Sequence, residues 1–178
     1  DVPYVNSRRD PKPMSRLDDF LRYWDNARQR TLRVADLVPE DRINWSPGAE
    51  VMTFADLIRH LAVTERWMFV ENAMGRPSRY ASHGPELADG KPAVLKLARD
   101  LHHESMAELR TLSDADLDRA VTTPGGATLA AWKWLRSMAE HEAHHRGQIY
   151  VMLRLCGIGT PPLFGLTSEE VRSRSGLS

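Results

Sequence analysis

The segment HEAHHRGQIYVMLR, residues 141–154, holds the residues best placed to do chemistry in this chain. His141 and His145 stand four apart in a stretch of strong helical character. On a helix that spacing stacks two imidazoles on one face, a turn apart. Two neutral imidazoles so placed can hold one divalent transition metal. At about 100° per residue, with His141 at zero, Trp134 and Met152 fall near 20°, His145 near 40°, and Met138 and Cys156 near 60°. This count puts His145 at the centre of the apolar face and His141 on its shoulder. His144 falls near −60° and is expected on the flank.

Four histidines compete to be the third ligand: His60, His83, His102 and His103. His83 lies in a loop and is the weakest candidate. His102 borders the apolar line of its own helix and reads as a hydrogen-bonded core residue. His60 lies beside Leu57, Leu61 and Thr64 in TFADLIRHLAVTERW and is expected to point inward. A set of His60, His141 and His145 ties two helices together and leaves a coordination position for a reactant. That arrangement belongs to a catalytic site rather than a structural one, and suits Zn²⁺ or Ni²⁺. Glu142 and Glu65 are the candidate bases. Arg146 and Gln148 are candidates to orient imidazoles or contact substrate, and Trp67 or Tyr150 to line the cleft. Cys156, three turns past His145, is too far to be a ligand and reads as a small hydrophobe.

Four helices must position these groups. Ser15 caps the first, whose apolar residues run from Leu17 to Val38 at spacings of three and four. Thr53, with Asp56 three residues on, opens a second helix from Phe54 to about Met74, stopped by Gly75 and Pro77. Pro92 stands in the first turn of a third, ending near Leu112. Asp114–Asp118 adds a short turn. Thr128 is expected to cap a fourth helix, from Leu129 to Leu155, closed by Gly157. Val121–Thr123 is too short to count as a strand. The pattern implies an all-α, antiparallel four-helix bundle. Residues 1–14 read as an extended arm, 15–160 as the bundle, and 161–178 as an irregular tail with a last turn at Ser168–Arg174.

Composition limits the function classes. Lys+Arg and Asp+Glu both number 24, so no basic excess favours nucleic acid or anionic lipid. No apolar run reaches the length of a membrane span. The single cysteine and the absence of an apolar leader fit a reducing cytoplasm.

Residues 141–145 also satisfy H-E-x-x-H, which in a zinc protease supplies two ligands and a general-base Glu, here Glu142. The extended motif fails, because Gln148 and Val151 stand where it needs Gly and His. A third ligand would have to come from Glu169 or Glu170, beyond the Pro161-Pro162 break, and no strand is expected to align a peptide.

Three stretches resemble the DinB/YfiT superfamily of four-helix bundles. They are LVPEDRINWSPGAEVMTFADLIRHLAVTERW, then HEAHHRGQIYVMLRLCGIGTPP with its H-x-x-x-H-R-G-Q core, and the tail LFGLTSEEV. Together they cover about residues 15–172 in order. The resemblance implies an up-down-down-up bundle, a homodimer, and a metal triad at His60, His141 and His145. It also implies an activity. Characterised members of that superfamily include S-transferases using bacillithiol, mycothiol or glutathione, and a mycothiol-dependent maleylpyruvate isomerase. The expectation is therefore a metal-dependent enzyme that transfers a low-molecular-weight thiol to an electrophile. The alternatives are a metal-dependent hydrolase, in which the same position activates water, and a non-catalytic metal-binding stress protein.

Overall fold

The computed structural model describes residues 15–176; the N-terminal arm expected over 1–14 lies outside them. Four long helices carry the fold. Helix α1 (Arg16–Asp36) starts where the Ser15 hydroxyl accepts the Asp18 N–H, 3.0 Å. Its row Leu17, Leu21, Trp24, Arg28, Thr31, Ala35 and Val38 is buried throughout. Helix α2 (54–73) opens with a complete capping box: the Thr53 hydroxyl accepts the Asp56 N–H and the Asp56 carboxylate accepts the Thr53 N–H. It is α-helical over Phe54–Thr64 and again over Glu71–Ala73, with a π-helical turn at Glu65–Val70 between them. Gly75, at φ +79°, ends it in the left-handed region that glycine adopts most cheaply. Helix α3 (Lys91–Leu109) and helix α4 (Ala131–Leu155) complete the bundle. A short α5 (Ser168–Arg174), with its own capping box from Thr167 and Glu170, fills the place of the last turn expected there.

Cross-contacts give the directions. Asp36 meets Lys91 and Arg99, while Asp25 meets His102, so α1 and α3 are antiparallel. Trp24 meets Glu65 and Arg28 meets Leu61, so α1 and α2 are antiparallel as well. The N-terminal half of α1 packs with Leu135 and Met138 of α4, and its C-terminal half with Ile149 and Leu153, so these two run parallel. The bundle is up-down-down-up.

One expectation fails at the start of α4. Thr128 is not its cap. Residues Thr128–Ala130 form strand β2, which pairs antiparallel with β1 (Ala120–Thr122), and α4 begins only at Ala131. Pro124 and Gly125 occupy a turn in which the Gly126 N–H donates to the Thr123 carbonyl, 2.9 Å, and Gly126 takes φ +82°. That is a turn-plus-bulge hairpin connection, and it turned TTPGGA into a ribbon rather than a helix lead-in. The fold class is unaffected, since the ribbon has two short strands.

The core is layered. One apolar cluster gathers Leu32, Val38, Ile58, Leu61, Leu101 and Ile149. The other gathers Leu17, Trp24, Phe69, Leu109, Leu135 and Met138. Between them each long helix contributes buried ionisable residues: Arg28 from α1, Glu65 and Arg66 from α2, His102 from α3, and Glu142 and Arg146 from α4.

Candidate metal centre

His60, His141 and His145 converge. Each offers one imidazole nitrogen, and these lie within 4.8 Å of one another. His60 Nε2 and His141 Nε2 are 3.0 Å apart. Two nitrogens each about 2.0–2.1 Å from a tetrahedral zinc stand about 3.3 Å apart, so the His60–His141 pair is within a few tenths of an ångström of that spacing, and His145 must close on it from no more than 4.8 Å. The outer nitrogens of two rings are engaged. His145 Nδ1 lies 2.6 Å from Gln148 Oε1, and His60 Nδ1 lies 3.3 Å from the Tyr80 hydroxyl. Donation from both Nδ1–H groups leaves the Nε2 lone pairs facing the centre. Burial, with the neighbouring rings of His145 and His83, pushes the His60 pKa down to about 4. Burial and the rings of His145 and His60 push His141 to about 3. Burial also lowers His145. The three rings are neutral at pH 7 and able to donate lone pairs.

The facing of α4 differs from the helical count above. Its buried residues are Ala131, Leu135, Met138, Ala139, Glu142, Arg146, Ile149, Met152 and Leu153; all but Met152 fall between about 60° and 160°, so the core direction runs near Glu142, at about 100°, not through His145. The two ligand histidines sit at the edge of the core, half-buried. His144 is exposed on the flank, as its angle implied.

Beside the triad lies an apolar cleft of about 710 Å³, formed where α4 meets the loop before α2. His145, Gln148, Val151 and Leu155 form one wall; Val51 and Met52 form the other. Gly147, in mid-helix, also lines it, and a Cβ there would meet nothing within 4 Å. Trp67 and Tyr150, expected to line the cleft, pack instead at the edge of the apolar core, and the Tyr150 hydroxyl donates to the Pro161 carbonyl, 2.9 Å.

Glu142, Glu65 and Arg146, the candidate catalytic residues, do not join the triad or line the cleft. Glu65 and Glu142 are each 1% exposed and both pair with Arg28. Glu65 also accepts the Trp24 indole N–H, 2.8 Å, and contacts His102 Nδ1, 2.8 Å. Burial opposes its charge, but Arg28 and His102 outweigh it and lower its pKa. Glu142 has fewer partners. Burial raises its pKa despite Arg28, and its Oε1 has no hydrogen-bond partner. Arg146 Nη1 donates to the Ala27 carbonyl, 3.2 Å. The downstream carboxylates are no closer to the role a protease would give them: Glu169 and Glu170 are exposed, and Glu170 is engaged as a cap. His102 is the hydrogen-bonded core residue expected.

Sequence reasoning passed over Arg28 and Tyr80, and ranked His83 last among the candidate ligands. Arg28 falls on the heptad-spaced buried row of α1, and that position was the available signal. Tyr80 and His83 come from the loop between α2 and α3. The His83 ring centroid is 5.3 Å from that of His60, a proximity that no periodicity announces.

A family model described as the DinB superfamily matches residues 23–149. The uncharacterized protein YjoA of Bacillus subtilis is 22% identical over 153 residues, covering 85% of this chain and 97% of YjoA. Its crystal structure superposes with a TM-score of 0.66. A structure described as "YfiT from Bacillus subtilis is a probable metal-dependent hydrolase with an unusual four-helix bundle topology" has a TM-score of 0.65 at 19% identity, covering 84% of this chain and 94% of YfiT. A mycothiol-dependent maleylpyruvate isomerase has a TM-score of 0.55 at 22% identity, covering 75% of this chain and 60% of the isomerase.

Proposed function

Because this chain belongs to the DinB superfamily, we propose that it is a divalent-metal-dependent enzyme, with Zn²⁺ or Ni²⁺ as the ion, that transfers a low-molecular-weight thiol to an electrophile. The observation carrying the proposal is the triad of His60, His141 and His145 beside an apolar cleft. A divalent ion there would supply Lewis acidity that lowers the pKa of a thiol and so provides thiolate at neutral pH. Gln148 holds His145 with its donor nitrogen inward. Val51, Val151 and Leu155 exclude water from the apolar part of the electrophile. In the transfer, sulfur forms a bond to the electrophilic carbon, the leaving group departs with its bonding pair, and the thiol proton passes to solvent.

The buried carboxylates favour a thiol over water as the nucleophile. Amide and ester hydrolysis profits from a positioned acid to protonate the leaving group. Glu65 and Glu142 are committed to Arg28 in the core and unavailable for that task. Transfer to an activated carbon needs no such acid. Hydrolysis stays as the second reading because of the likeness to YfiT, itself described as a probable metal-dependent hydrolase. Among the described residues no helix is long and apolar enough to cross a membrane.

The test is a screen of Zn²⁺- and Ni²⁺-loaded protein with glutathione, bacillithiol and mycothiol against chlorodinitrobenzene, and with nitrophenyl esters without thiol. Thioether formation with release of chloride, lost in His141→Ala, is the expected result. Ester cleavage without thiol, and no thioether, moves the assignment to hydrolysis.

A further inference from the structure

We propose that the loop between α2 and α3 is part of the metal centre, with Tyr80 and His83 as positioning residues that hold the ring of His60 in its ligating tautomer. The inference rests on the metal reading above and extends it to residues outside the triad. The Tyr80 hydroxyl stands between two imidazoles, 2.7 Å from His83 Nδ1 and 3.3 Å from His60 Nδ1. It has one proton to give. Given to His83, along the shorter contact, it leaves the phenolic oxygen to accept the His60 Nδ1–H. His60 Nε2 then presents a lone pair toward His141 Nε2, 3.0 Å away. Reversing the direction would put a proton on His60 Nε2 and block ligation.

The loop is built to keep this geometry. Arg79 N–H donates to the Trp67 carbonyl, 2.7 Å, and the Arg79 guanidinium pairs with Glu71. At the other side Arg59, 2% exposed, donates to the carbonyls of His83, 2.7 Å, and Ala88, 2.8 Å. Arg59 and His60 are consecutive residues of α2. The same helical turn that supplies the ligand therefore clamps the loop that orients it. Partners of ligating histidines typically govern metal affinity by about 10–100-fold.

The experiment measures Zn²⁺ affinity by competition with a chromophoric chelator, and the visible spectrum of the Co²⁺-loaded protein, for the full chain and its variants. Tyr80→Phe is expected to weaken Zn²⁺ binding about 10–100-fold and to change the Co²⁺ spectrum, with the metal-free melting temperature unchanged. His83→Ala is expected to weaken binding less. His83→Gln, which keeps an acceptor for the Tyr80 hydroxyl, is expected to restore most of the affinity. Wild-type affinity and spectrum in Tyr80→Phe, with metal lost in His60→Ala, would overturn the loop's role and leave the triad standing. Metal retained in His60→Ala would overturn both.

Discussion

This protein places imidazoles in two opposite settings. At the edge of the core, His60, His141 and His145 face one another, His145 lines the cleft, and all three pKa values are pushed down. In the middle layer, His102 sits between two carboxylates. Burial works against its charge, but Glu65 and then Asp25 overcome that and raise its pKa. The residue type is the same, and so is its placement on a helix. What differs is the company: other neutral rings favour the neutral, lone-pair-donating form of an imidazole, while carboxylates favour its charged form. A cluster of the first kind could hold a metal ion; a setting of the second kind pairs its imidazole with carboxylates across helices.

The largest effect expected belongs to the middle layer. Arg28→Met leaves Glu65 and Glu142 facing each other in the core without their cation. A loss of about 3–5 kcal/mol is expected, read by urea denaturation of the metal-free protein. Replacing Arg28, Glu65 and Glu142 together by Met and Leu should recover much of that loss, since fully apolar substitutes often match a buried ionic group. Failure of the triple variant to recover would mean that the layer fixes the register of the helices rather than only neutralising itself.

At the edge, His60→Ala should abolish metal binding, from close to one equivalent per chain to almost none by elemental analysis. The metal-free stability should change by no more than about 1 kcal/mol, because the ring is only half-buried. A variant that both unfolds and retains metal when folded would erase the distinction between the two clusters.

The pH dependence of the metal-free protein sharpens it further. The folded pKa of His102 is raised, so its contribution is complete below the unfolded value of about 6.5 and is lost as pH climbs through the folded value. The folded values of His60 and His141 are lowered, to about 4 and about 3. Below about 6.5 the unfolded chain therefore binds more protons at these positions, and stability falls as pH falls. Thermal melts from pH 5 to 9 should find the alkaline slope flattened in His102→Gln and the acid slope flattened in His60→Ala. Equal slopes in both variants would refute the contrast. The smallest effect is expected from His144→Ala, which should keep its metal and lie within about 0.5 kcal/mol of the parent.

Much of this was legible in the chain. The spacing of His141 and His145, the capping residues Ser15 and Thr53, and the apolar rows of the helices are local features, and each survived folding. The fold brings the rings of His60, His141 and His145 together, as the sequence reading expected of a metal site. The helical count puts His145 too close to the core centre, because it places the apolar face by Trp134, Met138, Met152 and Cys156 and leaves out the buried Glu142 and Arg146. Residues 122–127 carried a turn signal, but whether a turn leads into a strand or a helix depends on the partner it finds. Here β1 was near enough to pair with Thr128–Ala130.

By itself the sequence determined which helices form, where α1 and α2 begin, and that two imidazoles share one face of α4, because these follow from backbone hydrogen bonding and a period of 3.6 residues. Only the tertiary structure decided which ionisable groups are neutralised in the core and which face the cleft. It alone brought Tyr80 and His83, some twenty residues from His60 along the chain, against its ring. The reason is physical: a charge or a ligand geometry is set by what lies within a few ångströms in space, and loop closure and helix packing choose those neighbours without leaving a repeat in the chain.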